Sequence, residues 1–300
     1  MFRRCTLRCV FSNNAAATAA AAVANTTNAN NTNSTTGIAV NASRNTALQR
    51  VSNTLFLERR EKILSNLREN KNDKSLAGRV DPQIAPLVSF INENFTCYVT
   101  SSSCSGRASL FHKGLVSAAV QAERVERKRG SFGQGTLFQS HDRLHNVEST
   151  VVQQLTPALE SFAIWRKQQG DQGNDPLVYE TELLQLKFEP MIIHILCETM
   201  DDASKLLQCA TESGQMESGV LSCSRWTSEQ RKITCCITSS LRLDIPLFAE
   251  GQWLLGHADF SSPEWRALLV NTMTHMNMLF DANEERRSRF TSELKTRLLR

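Results

Sequence analysis

The sequence predicts an α+β fold: a single compact domain of mixed β-sheets and flanking helices, preceded by a disordered N-terminal leader. Three observations predict it. Short strand-like runs such as 95–103 and 183–197 interleave with helical patterns without regular βαβ spacing. No GxGxxG follows a first strand, so a dinucleotide-type Rossmann unit is unsupported. Ser12 to Asn45 is almost entirely Ala, Asn, Thr and Ser, a composition that cannot bury enough apolar surface to offset chain ordering.

The division expected is therefore a leader over 1–45 and a folded domain over 46–300. No acid precedes Glu58, whereas Arg3, Arg4, Arg8 and Arg44 do. Basic, hydroxyl-rich, acid-free N-termini resemble mitochondrial transit peptides, and mitochondrial import is the expected address, with the cytoplasm as alternative. The leader also accounts for the charge. The chain has 34 basic and 30 acidic residues, net +4, and removing 1–44 takes away four arginines and no acid, leaving 30 against 30. Overall charge therefore gives no licence for a nucleic-acid binder, and a polyanion would need local clusters. Nine cysteines without a CxxC pair argue against a disulfide framework or a structural zinc site. No apolar run is long enough to span a bilayer.

Leu48, Val51, Leu55, Ile63, Leu64 and Leu67 recur near helical spacing, so a helix is expected from about Ala47 to Asn70. Gly78 and Pro82 punctuate, and Ile84, Leu87, Val88 and Ile91 mark a second, short helix. Phe95, Cys97 and Val99 alternate with polar neighbours in a strand that runs into "SSSCSGR", with "RASLF" as the return strand. "QAERVERKRGSFGQG" reads as an exposed loop before the strand "TLFQSHD". Val147 to Gln169 is helical, with a kink or restart at Pro157. "LLQLKFEPMIIHILC" reads as one long strand bent or bulged at Glu189-Pro190. A helix over 202–212, strands "KITCCITSS" and "DIPLF", and a terminal helix over 262–299 complete the chain.

Four polar constellations fall at strand ends, where a rigid scaffold usually carries its binding groups. The first is Ser102, Ser103, Cys104, Ser105, Gly106 and Arg107. Its small residues let a ligand approach the backbone, and one arginine offers a planar fork for a carboxylate or phosphate; a solvated turn is the alternative. The second is Ser140-His141-Asp142. Consecutive residues cannot adopt a relay geometry, and His141 with His145 lacks a third ligand, so no metal site is expected. The third pairs Glu189, a carboxylate in an apolar run that must be partnered or face a cavity, with His194, which equally suits a hydrogen-bonded core histidine. The fourth is Glu217-Ser218-Gly219. Cys104 reads as a nucleophile only if its pKa is lowered, and otherwise as a small packing thiol.

"SSSCSGR", "SHD", "LKFEPMIIHI", "SGQMESGV" and "LDIPL", in this order and spacing, resemble the wybutosine-synthesizing protein 3 family. The likeness runs from about Phe56 to the C-terminus and includes "DKSLAGRVD". The resemblance implies a compact α+β fold unlike the common methyltransferase sheet. It also implies an S-adenosylmethionine-dependent methyltransferase acting on N4 of the demethylwyosine base beside the anticodon of phenylalanine tRNA. The motif positions carried over are Ser103, Cys104, Ser105, Gly106, Arg107, Ser140, His141, Glu189, Pro190, His194, Ser218 and Gly219. The chain departs from the family at Gln215-Met216-Glu217, where the family usually has Phe-Arg-Asn, so an acid stands where a cation is expected.

On this reading the 102–107 loop binds the donor's amino-acid end or an RNA phosphate through Arg107, together with Ser218 and Gly219 on the donor side. His141 or Glu189 accepts the proton, and His194 and Arg127-Lys128-Arg129 touch the tRNA. A sulfonium methyl is already an activated electrophile, so alignment and water exclusion suffice. The protein is expected to act as a monomer, free of membrane. A noncatalytic tRNA-binding or scaffold protein of the same fold is the main alternative, motivated by Glu217. A thiol-dependent hydrolase using Cys104 and His141 is a third reading.

Overall fold

Short connections decide the architecture. In the computed structural model, which describes residues 54–68, 80–113, 135–170, 182–223 and 232–299, the strands form two sheets. One sheet has the order β1-β5-β7-β6: β1 is Tyr98–Cys104, β5 Ile192–Cys197, β7 Ile233–Thr238 and β6 Gly219–Cys223. The other has the order β3-β2-β4-β8-β9: β3 is Gly135–Ser140, β2 Arg107–Lys113, β4 Leu183–Glu189, β8 Leu243–Ala249 and β9 Gln252–Trp253.

The α+β class stands, but where mixed sheets were expected every described ladder is antiparallel. A parallel pair needs a long crossover back to the same sheet. Here the brief connections β1–β2, β4–β5 and β7–β8 carry the chain into the other sheet instead. "LLQLKFEPMIIHILC" is accordingly not one bent strand but two strands in different sheets, parted at Pro190-Met191. Pro190 lacks the N–H that a ladder needs, so the break falls there.

Helix α1 covers 54–68 and seats Phe56 against Val99 and Leu196; residues 47–53 of the expected helix lie outside the described residues. Helix α2, Ala85–Asn94, buries Leu87, Val88 and Ile91 as the spacing predicts. Helix α3, Val147–Thr150, runs through a π-turn at Val151–Leu155 into α4, Thr156–Gly170. Pro157 cannot donate to the carbonyl four residues back. The helix absorbs this one residue earlier, where the Thr156 N–H bonds Val151 O, five back, so it widens where a break was expected. Helix α5, Met200–Glu212, starts two residues earlier than its apolar pattern suggests, because Thr199 and Asp202 close a capping box.

Helix α6, Pro263–Leu298, is 36 residues long, about 54 Å at 1.5 Å per residue. Its first half puts Trp265, Leu269, Met273, Met276 and Phe280 into the core of the five-stranded sheet. Its second half puts Phe290 and Leu294 into the core of the four-stranded sheet, beside α2 and α5. One helix thus spans both cores. Between the two apolar stretches it buries polar residues, Asn283 and Arg287. β7 is buried at every position, which explains why Cys235 and Cys236, on opposite faces of the strand, are both buried.

Candidate functional site

The three sheet-switching connections meet at one place. Gly106, on the β1–β2 connection, has φ +104°, and a Cβ there would stand 3.1 Å from Glu189 O and 3.2 Å from Met191 N on the β4–β5 connection. Only glycine fits both that backbone and that approach. Asn283 of α6 joins the two turns, donating to Ser105 O at 2.7 Å and accepting from Met191 N at 2.8 Å. Thr238, at the end of β7, donates to Met191 O at 2.8 Å and brings in the third connection.

Two shallow concavities flank the turn. One, about 260 Å³, is lined by Cys104, Arg107, Glu189, Pro190, Thr238 and Arg242 among others. The other, about 270 Å³, is lined by Ser105, His141, His145, Asn283 and Arg287 among others. Arg107 and Glu189 are register partners in the β2–β4 ladder, with Nε 2.6 Å from Oε2. Glu189 is thus partnered and also faces a concavity.

His141 folds back onto the turn. Its Nδ1 lies 3.1 Å from Gly106 O, 3.3 Å from Asp81 Oδ2 and 3.7 Å from Cys104 Sγ. Asp81 is fixed in turn by Ser105, whose N–H and hydroxyl donate to Oδ2 at 2.8 and 3.2 Å. Burial works to raise the Asp81 carboxyl, but hydrogen bonds from His141 and Ser105 outweigh it and hold it at about 2. The hydrogen bond to Asp81, then that to Cys104, push His141 up to about 10 against its burial. At neutral pH the imidazole is therefore a cation and a donor. Since thiol and carboxylate both face Nδ1, the arrangement is not a nucleophile relay, which needs them on opposite nitrogens.

The sequence-predicted residues divide accordingly. Cys104, Ser105, Gly106, Arg107, His141, Glu189 and Pro190 come together. Ser102 and His194 are cross-strand partners farther along the β1–β5 ladder, Oγ 2.7 Å from Nδ1, as Ser103 is paired with Ile193; burial lowers the His194 pKa. Ser218 sits behind the first concavity, its Oγ donating to Thr238 O at 3.2 Å and accepting from Thr238 N at 3.0 Å, and Gly219 opens β6 beside it. Arg127, Lys128 and Arg129 lie outside the described residues. Glu217 pairs with Arg242 at 2.9 Å, and Arg242, on the β7–β8 connection, lines the first concavity.

Asp81, Thr238, Arg242 and Asn283 were not singled out as site residues. Asn283 and Arg287 left a trace, because they fall in phase with Phe280, Phe290 and Leu294 on the buried face of α6. Asp81 closes the "DKSLAGRVD" segment, but no local pattern pairs it with His141.

The profile of the family described as Methyltransferase TYW3 matches residues 58–296. The chain belongs to that family. It is 30% identical over 192 residues to the Schizosaccharomyces pombe tRNA wybutosine-synthesizing protein 3, covering 64% of this chain and 68% of that one. It is 29% identical over 239 residues to the Arabidopsis thaliana tRNA wybutosine-synthesizing protein 2/3/4, covering 80% of this chain and 21% of the relative. The chain thus spans about a fifth of the length of that plant protein. Among solved structures, the PH1069 protein from Pyrococcus horikoshii shares the fold, with a TM-score of 0.53, 21% identity, and coverage of 81% of this chain and 98% of that one.

Proposed function

We propose that this chain is an S-adenosylmethionine-dependent methyltransferase that methylates N4 of the demethylwyosine base next to the anticodon of phenylalanine tRNA, in wybutosine biosynthesis. The observation that carries the reading is the TYW3 family match over residues 58–296, on a chain whose motif residues gather at the sheet-switch point. The donor supplies a methyl group already activated on a sulfonium. The work left to the protein is to bind, to orient and to take up a proton.

Arg107 and Arg242 hold the donor's carboxylate in the 260 Å³ concavity. That volume lies just below the range of about 300–1,000 Å³ usual for small-molecule pockets, so it takes one end of the donor and leaves the methyl at the rim, facing the tRNA. His141, as a cation, is a hydrogen-bond donor. Glu189 accepts the proton lost from the base nitrogen, and Arg107 keeps it aligned. Arg242 lines the concavity and pairs with Glu217; the second reading is a noncatalytic tRNA-binding or scaffold protein of the same fold. Arg127-Lys128-Arg129 and His194 contact the tRNA, and residues 1–45 direct the chain to the mitochondrion.

Incubating the purified chain with labelled S-adenosylmethionine and tRNA carrying demethylwyosine tests the reading. Label in the tricyclic base is expected; tRNA binding without incorporation would favour the noncatalytic alternative. Imaging a fluorescent protein fused to residues 1–50 tests the address, and a diffuse cytoplasmic signal would refute it.

A further inference from the structure

Asp81, Cys104 and His141 come from three distant segments, yet their ligating atoms all lie within 4.8 Å of one another. The convergence is centred on His141 Nδ1, which faces a carboxylate oxygen, a sulfur and the Gly106 carbonyl at 3.1–3.7 Å. The Nδ1–H points at one of these groups at a time, while Asp81 Oδ2 also receives two hydrogen bonds from Ser105. A cation placed between the groups serves all of them.

Two of the three spacings match such an ion, and the third, between Asp81 Oδ2 and Cys104 Sγ, is within 4.8 Å. Bonds of about 2.0 Å to nitrogen and oxygen and about 2.3 Å to sulfur, in tetrahedral arrangement, separate neighbouring ligand atoms by about 3.3–3.6 Å. The Nδ1–Oδ2 distance is 3.3 Å and the Nδ1–Sγ distance 3.7 Å. Groups behind the ligands are also in place. Ser105 donates twice to Asp81, and Gln139 lies against the other ring nitrogen of His141, Nε2 to Nε2 at 2.7 Å, while its own Oε1 is buried without a partner among the described residues. Turning that amide over presents Oε1 to His141 Nε2–H, which frees the Nδ1 lone pair as a ligand. Partners of this kind orient metal-bound histidines.

We propose that Asp81, Cys104 and His141 form a binding site for a divalent transition-metal ion of the zinc class. One thiolate, one imidazole and one carboxylate suit such an ion and do not suit magnesium or calcium. Three protein ligands leave a fourth position open, as catalytic zinc sites do. The His141–His145 spacing gave no hint of it, because the other ligands are supplied by the turn before α2 and the end of β1. The site does not depend on methyl transfer.

The test uses the full-length, tag-free chain, stripped with chelator and titrated with Zn²⁺ by calorimetry and with Co²⁺ by absorption. One equivalent is expected to bind with a Kd of about 1 μM or below, and Co²⁺ to give a thiolate charge-transfer band. Cys104→Ser removes that band, and Asp81→Asn or His141→Gln weakens binding at least about tenfold, with the fold checked by circular dichroism. If a variant fails to fold, Zn²⁺ protection of wild-type Cys104 from iodoacetamide, read by peptide mass spectrometry, replaces it. A folded wild type that binds no tighter than about 1 mM, binding unchanged in all three variants, or Cys104 labelling unaffected by Zn²⁺ overturns the proposal. Metal binding is read without turnover, so its failure is distinct from failure of the methyltransferase reading.

Discussion

Arg107 and Glu189 face each other as register partners at the end of the β2–β4 ladder, with the guanidinium Nε 2.6 Å from the carboxylate. Both side chains are more than a third exposed, so the pair adds at most about 1 kcal/mol to stability. Its value lies in aiming both groups at the concavity. Arg107→Ala is expected to raise the KM for donor or tRNA at least about tenfold while the melting temperature barely moves, and Arg107→Lys to recover only part of it, lacking the planar fork. Unchanged turnover and affinities in the alanine variant would remove Arg107 from the site.

Glu189→Gln keeps the shape and the contact with Arg107 but removes the carboxylate proposed as proton acceptor. A fall in kcat of about 10²–10⁴ is expected, with donor affinity, measured by calorimetry, changed far less. A variant that turns over at the wild-type rate would exclude Glu189 as the base.

Asn283 bridges Ser105 O and Met191 N in a buried setting. Asn283→Ala strands two buried backbone groups, at about 1–3 kcal/mol each, so denaturant unfolding should show a loss of about 2–6 kcal/mol. Gly106→Ala forces a side chain onto φ +104° and into atoms 3.0–3.2 Å away, and should cost about 1–3 kcal/mol. Wild-type midpoints in both variants would mean the junction is looser than described.

The Asp81–His141 contact gives chelator-treated protein a defined pH response. The His141 pKa is raised to about 10 from 6.5, so its contribution is complete below 6.5 and is lost as pH climbs towards 10. The Asp81 pKa is lowered to about 2 from 3.8, so its contribution is complete above 3.8 and is lost as pH falls towards 2. Both hold fully between those limits, and the pair is worth about 2 kcal/mol once its partial exposure is discounted. Asp81→Asn should flatten both limbs of the stability profile and return the His141 NMR titration towards the usual range. An ordinary His141 titration in the wild type would contradict the contact.

Glu217→Arg sets a second cation beside Arg242 in place of their 2.9 Å ion pair. Repulsion should displace the Arg242 guanidinium from the concavity and weaken donor binding several-fold, whereas Glu217→Gln should change it far less. Wild-type donor affinity in Glu217→Arg would show that the pair does not hold Arg242 at the site.

Much of the site was legible because its residues cluster in short motifs. "SSSCSGR" marked a tight turn carrying Arg107, and "FEP" a carboxylate that had to be partnered. The helical period of α2 and the alternation along β4 likewise follow from local side-chain spacing, whereas β1 starts only at Tyr98 and is buried at its first three positions instead of alternating.

What the sequence by itself determined is therefore local: the composition that separates 1–45 from the rest, most of the elements (β6 and β9 excepted) and the family. Only the tertiary structure decided that the run through Glu189-Pro190 divides between two sheets, and that α6 carries Asn283 to their junction. It alone placed Asp81 against His141 and Cys104. The physical reason is that each of these rests on a contact between residues far apart in the chain, down to Asn283 Nδ2 on Ser105 O at 2.7 Å. Such contacts are chosen by the packing of two cores around one helix, and no periodicity within a single segment encodes them.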